Sequence, residues 1–92
     1  MTRADDAAQR IHDHLRRFEA DAAINTITRG YRRFYHPSAR ASGRSYVRIT
    51  AKGYQAPHAV RLAEAEAYAD WLDAGHIGDL WEFMTEVQYG RK

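Results

Sequence analysis

Residues 45–51, with the sequence SYVRITA, decide the fold because polar and apolar side chains alternate along them. A period of two places successive side chains on opposite faces of a β-strand. Val47 and Ile49 would then face a core, and Tyr46, Arg48 and Thr50 would face away from it. The pattern therefore predicts a strand with one buried face, which needs partner strands and a covering layer.

The segments on either side of this strand predict its partners. Residues 31–36, YRRFYH, read as a strand that ends at Pro37, and the small polar residues 38–44 read as a loop. After a turn over 52–57, residues 58–62 are ambiguous, because they fit either a third strand or a helix that opens at Pro57. We favour the strand, since Val60 and Leu62 alternate with Ala59 and Arg61.

Both ends of the chain predict helices. Apolar residues in the first segment step by three and four, which indicates a helix over about 3–24 with Thr2 as its N-cap. We expect it to stop at 22–25, where β-branched residues take over. Further helices are predicted over about 63–74, ended by Gly75, and over about 80–88, capped by Asp79.

This order of elements indicates an α+β fold in a single small domain, 1–92. We expect an N-terminal helix, a short antiparallel sheet of two or three strands, and two C-terminal helices, with the helices packed on one sheet face. The hydrophobic fraction of 45% and the aromatic fraction of 12% are too high for a disordered basic tail, so a packed core is expected.

Composition excludes several classes of site. The chain has no cysteine, so disulfides, thiolate metal sites and cysteine nucleophiles are ruled out. His12 and His14 are two apart on a helix and point in different directions, and no zinc-ligand spacing is present. We predict no metal, no cofactor and no catalytic residue.

The expected compartment is the cytoplasm, and no membrane is expected as a partner. The amino terminus runs directly into charged residues, without the apolar core of a signal peptide. No apolar run approaches the roughly 20 residues needed to span a bilayer.

Charge is distributed very unevenly along the chain. Residues 22–63 contain eight basic side chains and no acidic one, whereas residues 1–21 have a net charge of −1 and residues 64–92 of −5. The total of +2 therefore conceals a strongly basic middle segment. An anionic partner responds to such a local patch more than to the net charge.

Aromatic residues are interspersed among these basic ones, and strand alternation places several of both kinds on the open sheet face. Arginine binds phosphate in a fixed fork, and aromatic rings stack on bases. Adding the 38–44 loop, the candidate residues for binding nucleic acid or another partner are Tyr31, Arg33, Tyr35, Arg40, Arg44, Tyr46, Arg48 and Arg61.

A protein partner explains the same residues almost equally well, because Tyr and Arg are enriched at protein interfaces and are also common on solvated sheet faces. The acidic C-terminal helices could bind a basic partner or the basic segment of a second copy, which would give a homodimer. Trp81 points away from the apolar side of the last helix. It either covers the 75–78 loop, which we favour, or anchors a partner.

The sequence as a whole suits a small non-enzymatic accessory or regulatory protein, of the kind that phages and mobile elements encode. The first hypothesis is DNA or RNA binding through the Tyr/Arg face, and the alternative is a protein-interaction module or an inhibitor of a host protein. If the protein is an enzyme, the remaining hypothesis is a small metal-free ribonuclease with His36 or His58 as the acid–base group.

Overall fold

A computed structural model describes residues 2–29, 37–50 and 57–89, with side chains described in 2–18, 37–50 and 57–87. Helix α1 spans Arg3–Arg29, strands β1, β2 and β3 span Ser38–Ser42, Tyr46–Thr50 and His58–Arg61, helix α2 spans Leu62–Asp73, and helix α3 spans Leu80–Met84. A π-helical turn, Thr85–Tyr89, follows α3. This order confirms the α+β fold.

The described strands form one antiparallel sheet in the order β1–β2–β3. Helices α1 and α2 pack against the same face of this sheet and against each other. The core between these two layers contains Ile11 and Leu15 from α1, Val47 and Ile49 from β2, and Tyr68 from α2, all at most 3% exposed. The opposite face of the sheet has no helix of the described residues packed on it.

Helix α1 forms for the reasons the sequence suggests. Its apolar stripe is buried from Ala4 to Leu15, and Phe18 packs at the edge of the core. Thr2 Oγ1 accepts a hydrogen bond from the backbone N–H of Asp5 at 3.1 Å, and the Asp5 carboxylate accepts one from the Thr2 N–H at 3.1 Å. This reciprocal pair caps the first turn.

The expected end of α1 near residues 22–25 is wrong, because the helix continues to Arg29. Each β-branched residue in this stretch lowers helix propensity by well under about 1 kcal/mol, and no proline or glycine precedes Gly30. The penalty is therefore too small to end a helix that is already nucleated.

The loop predicted over 38–44 is also wrong. Residues 38–42 form β1, and residues 43–45 form the turn of a hairpin in which Ser42 pairs with Tyr46. Gly43 has φ of 74°, a left-handed conformation that glycine adopts without a Cβ penalty. The strand predicted over 31–36 lies outside the described residues.

The other elements agree with the sequence to within a few residues. Residues 58–61 are a strand rather than the start of a helix, and α2 begins directly after them. Gly75, with φ of 104°, ends α2, and the Asp79 carboxylate caps α3 by accepting from the Glu82 N–H at 2.9 Å. The last predicted helix is split into α3 and the π-helical turn.

Candidate nucleic-acid interface

The side chains that point away from the helices form what we call the outer face of the sheet. In β2, Val47 and Ile49 are fully buried while Tyr46 and Arg48 are exposed, which is the orientation that the alternation predicts. Cross-strand partners in an antiparallel sheet share a face. By register, the outer face consists of Ser38, Arg40, Ser42, Tyr46, Arg48, Thr50, Ala59 and Arg61.

Two arginines lie directly opposite each other on this face. Arg40 of β1 pairs in register with Arg48 of β2, and both are exposed. Opposed residues of this kind have Cβ atoms about 4.5–5.5 Å apart, and like charges there are destabilising. The other described residues of the outer face include no acid that could offset the two charges.

Arg61 brings a third arginine to the outer face. It lies opposite Tyr46 and is exposed, while its neighbour Val60 is buried against the helices. Arg48 in turn lies opposite Ala59, which is too small to cover it. The three arginines therefore span all three strands.

Arg44 extends the basic surface at the hairpin turn. It is exposed and lies beside the end of the sheet that carries Tyr46 and Arg61. The turn is tied to the helix layer, because the Leu62 N–H donates to the Ser45 carbonyl oxygen at 2.8 Å. Within the described residues, Arg44 and the three outer-face arginines form no ion pair.

Two arginines of the helix layer, Arg3 and Arg10, form ion pairs instead. Arg3 of α1 contacts Glu66 of α2, with Nε–Oε2 at 3.2 Å, and Arg10 contacts both Asp70 and Asp73. These two arginines thus lie beside acids of α2, whereas the described residues of the outer face include no acid.

The same contacts show that acids of α2 bind groups within the molecule. His14 Nε2 lies 2.7 Å from Asp73 Oδ1, and Arg10 Nε lies 2.9 Å from Asp73 Oδ2. Both contacts hold the pKa of Asp73 below its ordinary value of 3.8, and the hydrogen bond with His14 has the larger effect. Part of the acidic charge of α2 is therefore used to fix α1.

A signal for these pairs exists in the sequence. Arg3, Arg10 and His14 are spaced by seven and four on α1, and Glu66, Asp70 and Asp73 by four and three on α2, so each set lies on one helical face. The sets meet in the same order along both helices. Periodicity alone does not say which helix faces which.

Two large apolar side chains are exposed in the C-terminal part of the chain. Ile77 is 76% exposed and Trp81 is 68% exposed, so the favoured expectation that Trp81 covers the 75–78 loop is wrong. Trp71 of α2 fills that place, with its ring 4.8 Å from His76 in a parallel stack and 5.6 Å from Phe83.

Of the eight candidate residues, Arg40, Tyr46, Arg48 and Arg61 share the outer face and Arg44 adjoins it. Tyr31, Arg33 and Tyr35 lie outside the described residues. Arg40 was expected on a loop, but it belongs to a strand of the sheet.

The described residues offer neither a metal site nor a membrane-spanning helix. Among the described residues, no group of three or more metal-ligating side chains could hold an ion. In the same part of the chain, no helix has the length and hydrophobicity to cross a bilayer.

Comparisons of the chain with models of protein families, with curated protein sequences and with solved structures find no significant match.

Proposed function

We propose that this protein is a small non-enzymatic accessory or regulatory protein that binds nucleic acid through the outer face of its sheet. The observation that supports this function best is the opposed pair Arg40 and Arg48, on a face whose described residues include no acid. We also propose that the protein is cytoplasmic, which its basic, cysteine-free sequence suits. A phage or mobile element would be the source of such a protein.

An anion bound between the two opposed arginines would relieve their electrostatic repulsion. Two like charges held opposite each other on a sheet cost about 0.2–1 kcal/mol, and a phosphate between them replaces that repulsion with two attractive contacts. Arginine forms bidentate hydrogen bonds with phosphate oxygens, so both guanidinium groups can engage one phosphate or two neighbouring ones.

The surroundings of the pair favour an extended partner over a small anion. Ser38, Ser42 and Ala59 leave the outer face without bulky walls, and no described helix covers it. Arg61 and Arg44 continue the positive charge beyond the pair. A phosphate backbone that crosses the strands would meet several of these charges at once.

The test is a double substitution with a matched control. Arg40→Gln with Arg48→Gln should weaken binding to oligonucleotides at least tenfold at low salt. The slope of log K against log salt should become shallower by up to about 1.4–1.8 for two lost phosphate contacts. Arg3→Gln with Arg17→Gln removes the same charge from α1, on the far side of the sheet, and should change binding by less than about threefold.

Fluorescence anisotropy with DNA and RNA oligonucleotides measures both the affinity and the salt slope. A salt range of roughly 50–200 mM suits such titrations. Equal losses for the two double variants would show that net charge rather than the outer face controls binding. Complete failure of the parent protein to bind at low salt would refute the function. RNA should be recovered uncut after incubation with the protein. Cleavage of the RNA would instead support the ribonuclease hypothesis.

A second candidate function, binding to a protein, rests on Trp81 and Ile77. Both are exposed near the acids Asp79 and Glu82, and an exposed Trp is a frequent hot spot of protein interfaces. The fitting partner is a basic segment with apolar side chains, in a host protein or in a second copy of this chain. Trp81→Ala should abolish such an interaction and leave oligonucleotide binding unchanged.

A further inference from the structure

Tyr46 lies at the centre of the outer-face arginines. Arg61 is its partner across β3, Arg48 follows it by two residues on the same face of β2, and Arg40 is diagonal to it on β1. Direct cross-strand neighbours are about 4.5–5.5 Å apart at Cβ, and diagonal ones about 7–8 Å apart. All three guanidinium groups can therefore reach a ligand placed on the Tyr46 ring.

The Tyr46 ring is available to such a ligand. Its side chain is 45% exposed, and its partner on β1 is Ser42, which is too small to cover it. Within the described residues, Tyr46 makes no hydrogen bond and no ring contact. The aromatic residues of the helix layer, by contrast, contact one another, as Tyr68, Trp71 and Phe83 do.

We propose that Tyr46 is a stacking platform for one unpaired base, and that the protein selects single-stranded over double-stranded nucleic acid. This inference rests on the proposed function. Arg40 and Arg48 hold the phosphate on one side of the stacked nucleotide, and Arg61 contacts the phosphate on the other side. Arg61 and Arg48 are diagonal neighbours across β2 and β3, about 7–8 Å apart.

Geometry disfavours a duplex at this site. In a duplex, each base face is covered by the next base pair, so the Tyr46 ring, which lies on the central strand at the end near the hairpin turn, has no base face to stack on. The major groove admits a helix or a two-stranded ribbon, whereas this sheet has three strands with helices behind it. Only strands whose bases can turn outward present a π-face to Tyr46.

Three oligonucleotides of equal length separate stacking from charge: a single strand, its duplex, and an abasic strand that retains the phosphates. The parent protein should bind the single strand more tightly than the duplex. Tyr46→Ala should weaken binding to the single strand roughly tenfold to a hundredfold, as expected for one stacked base. Its affinity for the duplex and the abasic strand should change by less than about threefold, and its salt slope should stay that of the parent.

Tyr46→Phe is the matched control, because it retains the ring and removes only the hydroxyl group. It should bind the single strand within about threefold of the parent. Circular dichroism and a melting curve check that each variant is folded. Both should match the parent, because Tyr46 is exposed and is not part of the hydrophobic core.

These measurements distinguish a failure of the Tyr46 stacking site from a failure of the proposed nucleic-acid binding. If the parent binds oligonucleotides and loses affinity on the double arginine substitution, but Tyr46→Ala leaves single-strand binding unchanged, the stacking site is wrong and the proposed function stands. A parent that prefers the duplex, or a Tyr46→Ala variant that loses affinity equally for all three ligands, also overturns the stacking site. A parent that binds none of the three refutes both.

Discussion

Leu15 shows how much of the stability of this chain depends on single side chains. It is 3% exposed, four residues after Ile11 on the buried stripe of α1. Leu15→Ala should lower the free energy of unfolding by roughly 2–5 kcal/mol, because it removes buried methyl groups and leaves a cavity. That loss is a large part of the stability of a domain of 92 residues.

Urea unfolding followed by circular dichroism measures this loss. Arg17→Ala, two residues further along the helix and exposed, is the control and should change stability by less than about 0.5 kcal/mol. Equal stabilities of the Leu15→Ala variant and the parent would mean that α1 is not docked on the sheet through this stripe.

At the residue scale, burial follows from the sequence wherever the period is clear. Val47, Ile49 and the stripe of α1 are buried as alternation and helical spacing indicate. Trp71 and Trp81 could not be assigned in this way, because both lie at the edge of an apolar face. Which ring packs depends on the path of residues 74–79 between the two helices.

At the scale of elements, β1 was missed because its sequence, SARAS, carries no strand signal. Serine, alanine and arginine are not strong strand formers, so propensity favoured a loop. The strand exists because all five of its residues pair with β2 and because Ala39, at 5% exposed, packs on the helix layer. His12 Nδ1 also lies 3.3 Å from the Ala39 N–H, which donates to it. These tertiary contacts are not visible in local sequence.

The contact between α1 and α2 should make stability depend on pH in the acid range. The pKa of Asp73 is lowered by His14 and Arg10, so its ionised form stabilises the folded state. This contribution is complete above the ordinary pKa of 3.8 and is lost as the pH falls through the lower folded value. Since Asp73 is 45% exposed, we expect about 1 kcal/mol or less.

Asp73→Asn tests this contact. The variant should be less stable than the parent at neutral pH, and the two should converge as the pH drops below the pKa of Asp73 in the folded protein. Thermal melts from neutral to strongly acidic pH measure the difference. A constant difference at every pH would assign the effect to lost packing or hydrogen bonding rather than to the carboxylate charge.

At the scale of the whole molecule, the charge segregation along the sequence becomes a segregation in space. The described part of the basic segment supplies the sheet, while the twelve acids lie in α1, α2 and α3, at the N-cap of α3 and in the π-helical turn. The sequence predicted this division, but not that part of the acidic charge would bind α1, since the mutual orientation of two helices is a tertiary property.

The remaining acids should slow the approach of nucleic acid at low salt. The shortest dimension of the molecule is 23 Å, whereas the Debye length is about 30 Å at 0.01 M salt and about 8 Å at 0.15 M. Glu82→Gln with Glu86→Gln should therefore raise the association rate with an oligonucleotide about twofold to threefold at the lower salt concentration.

Stopped-flow fluorescence at the two salt concentrations measures this rate. At 0.15 M the variant and the parent should agree, since the Debye length of about 8 Å is then much shorter than the 23 Å dimension of the molecule. An enhancement that persists at high salt would point to a local contact of Glu82 or Glu86 with the oligonucleotide instead of a long-range field.

Arg61 is both the last residue of β3 and the N-cap of α2, so the strand passes into the helix with no connecting residue. One inserted residue at this junction would turn α2 by about 100° and carry Tyr68 and Leu72 out of the core. In the hairpin turn, the Leu62 N–H holds Ser45, but Gly43 and Arg44 are exposed and precede that contact, so a change of length there leaves the junction intact. Evolution could therefore lengthen or shorten this chain at the hairpin, while the 61–62 junction should keep a fixed length in every descendant of the sequence.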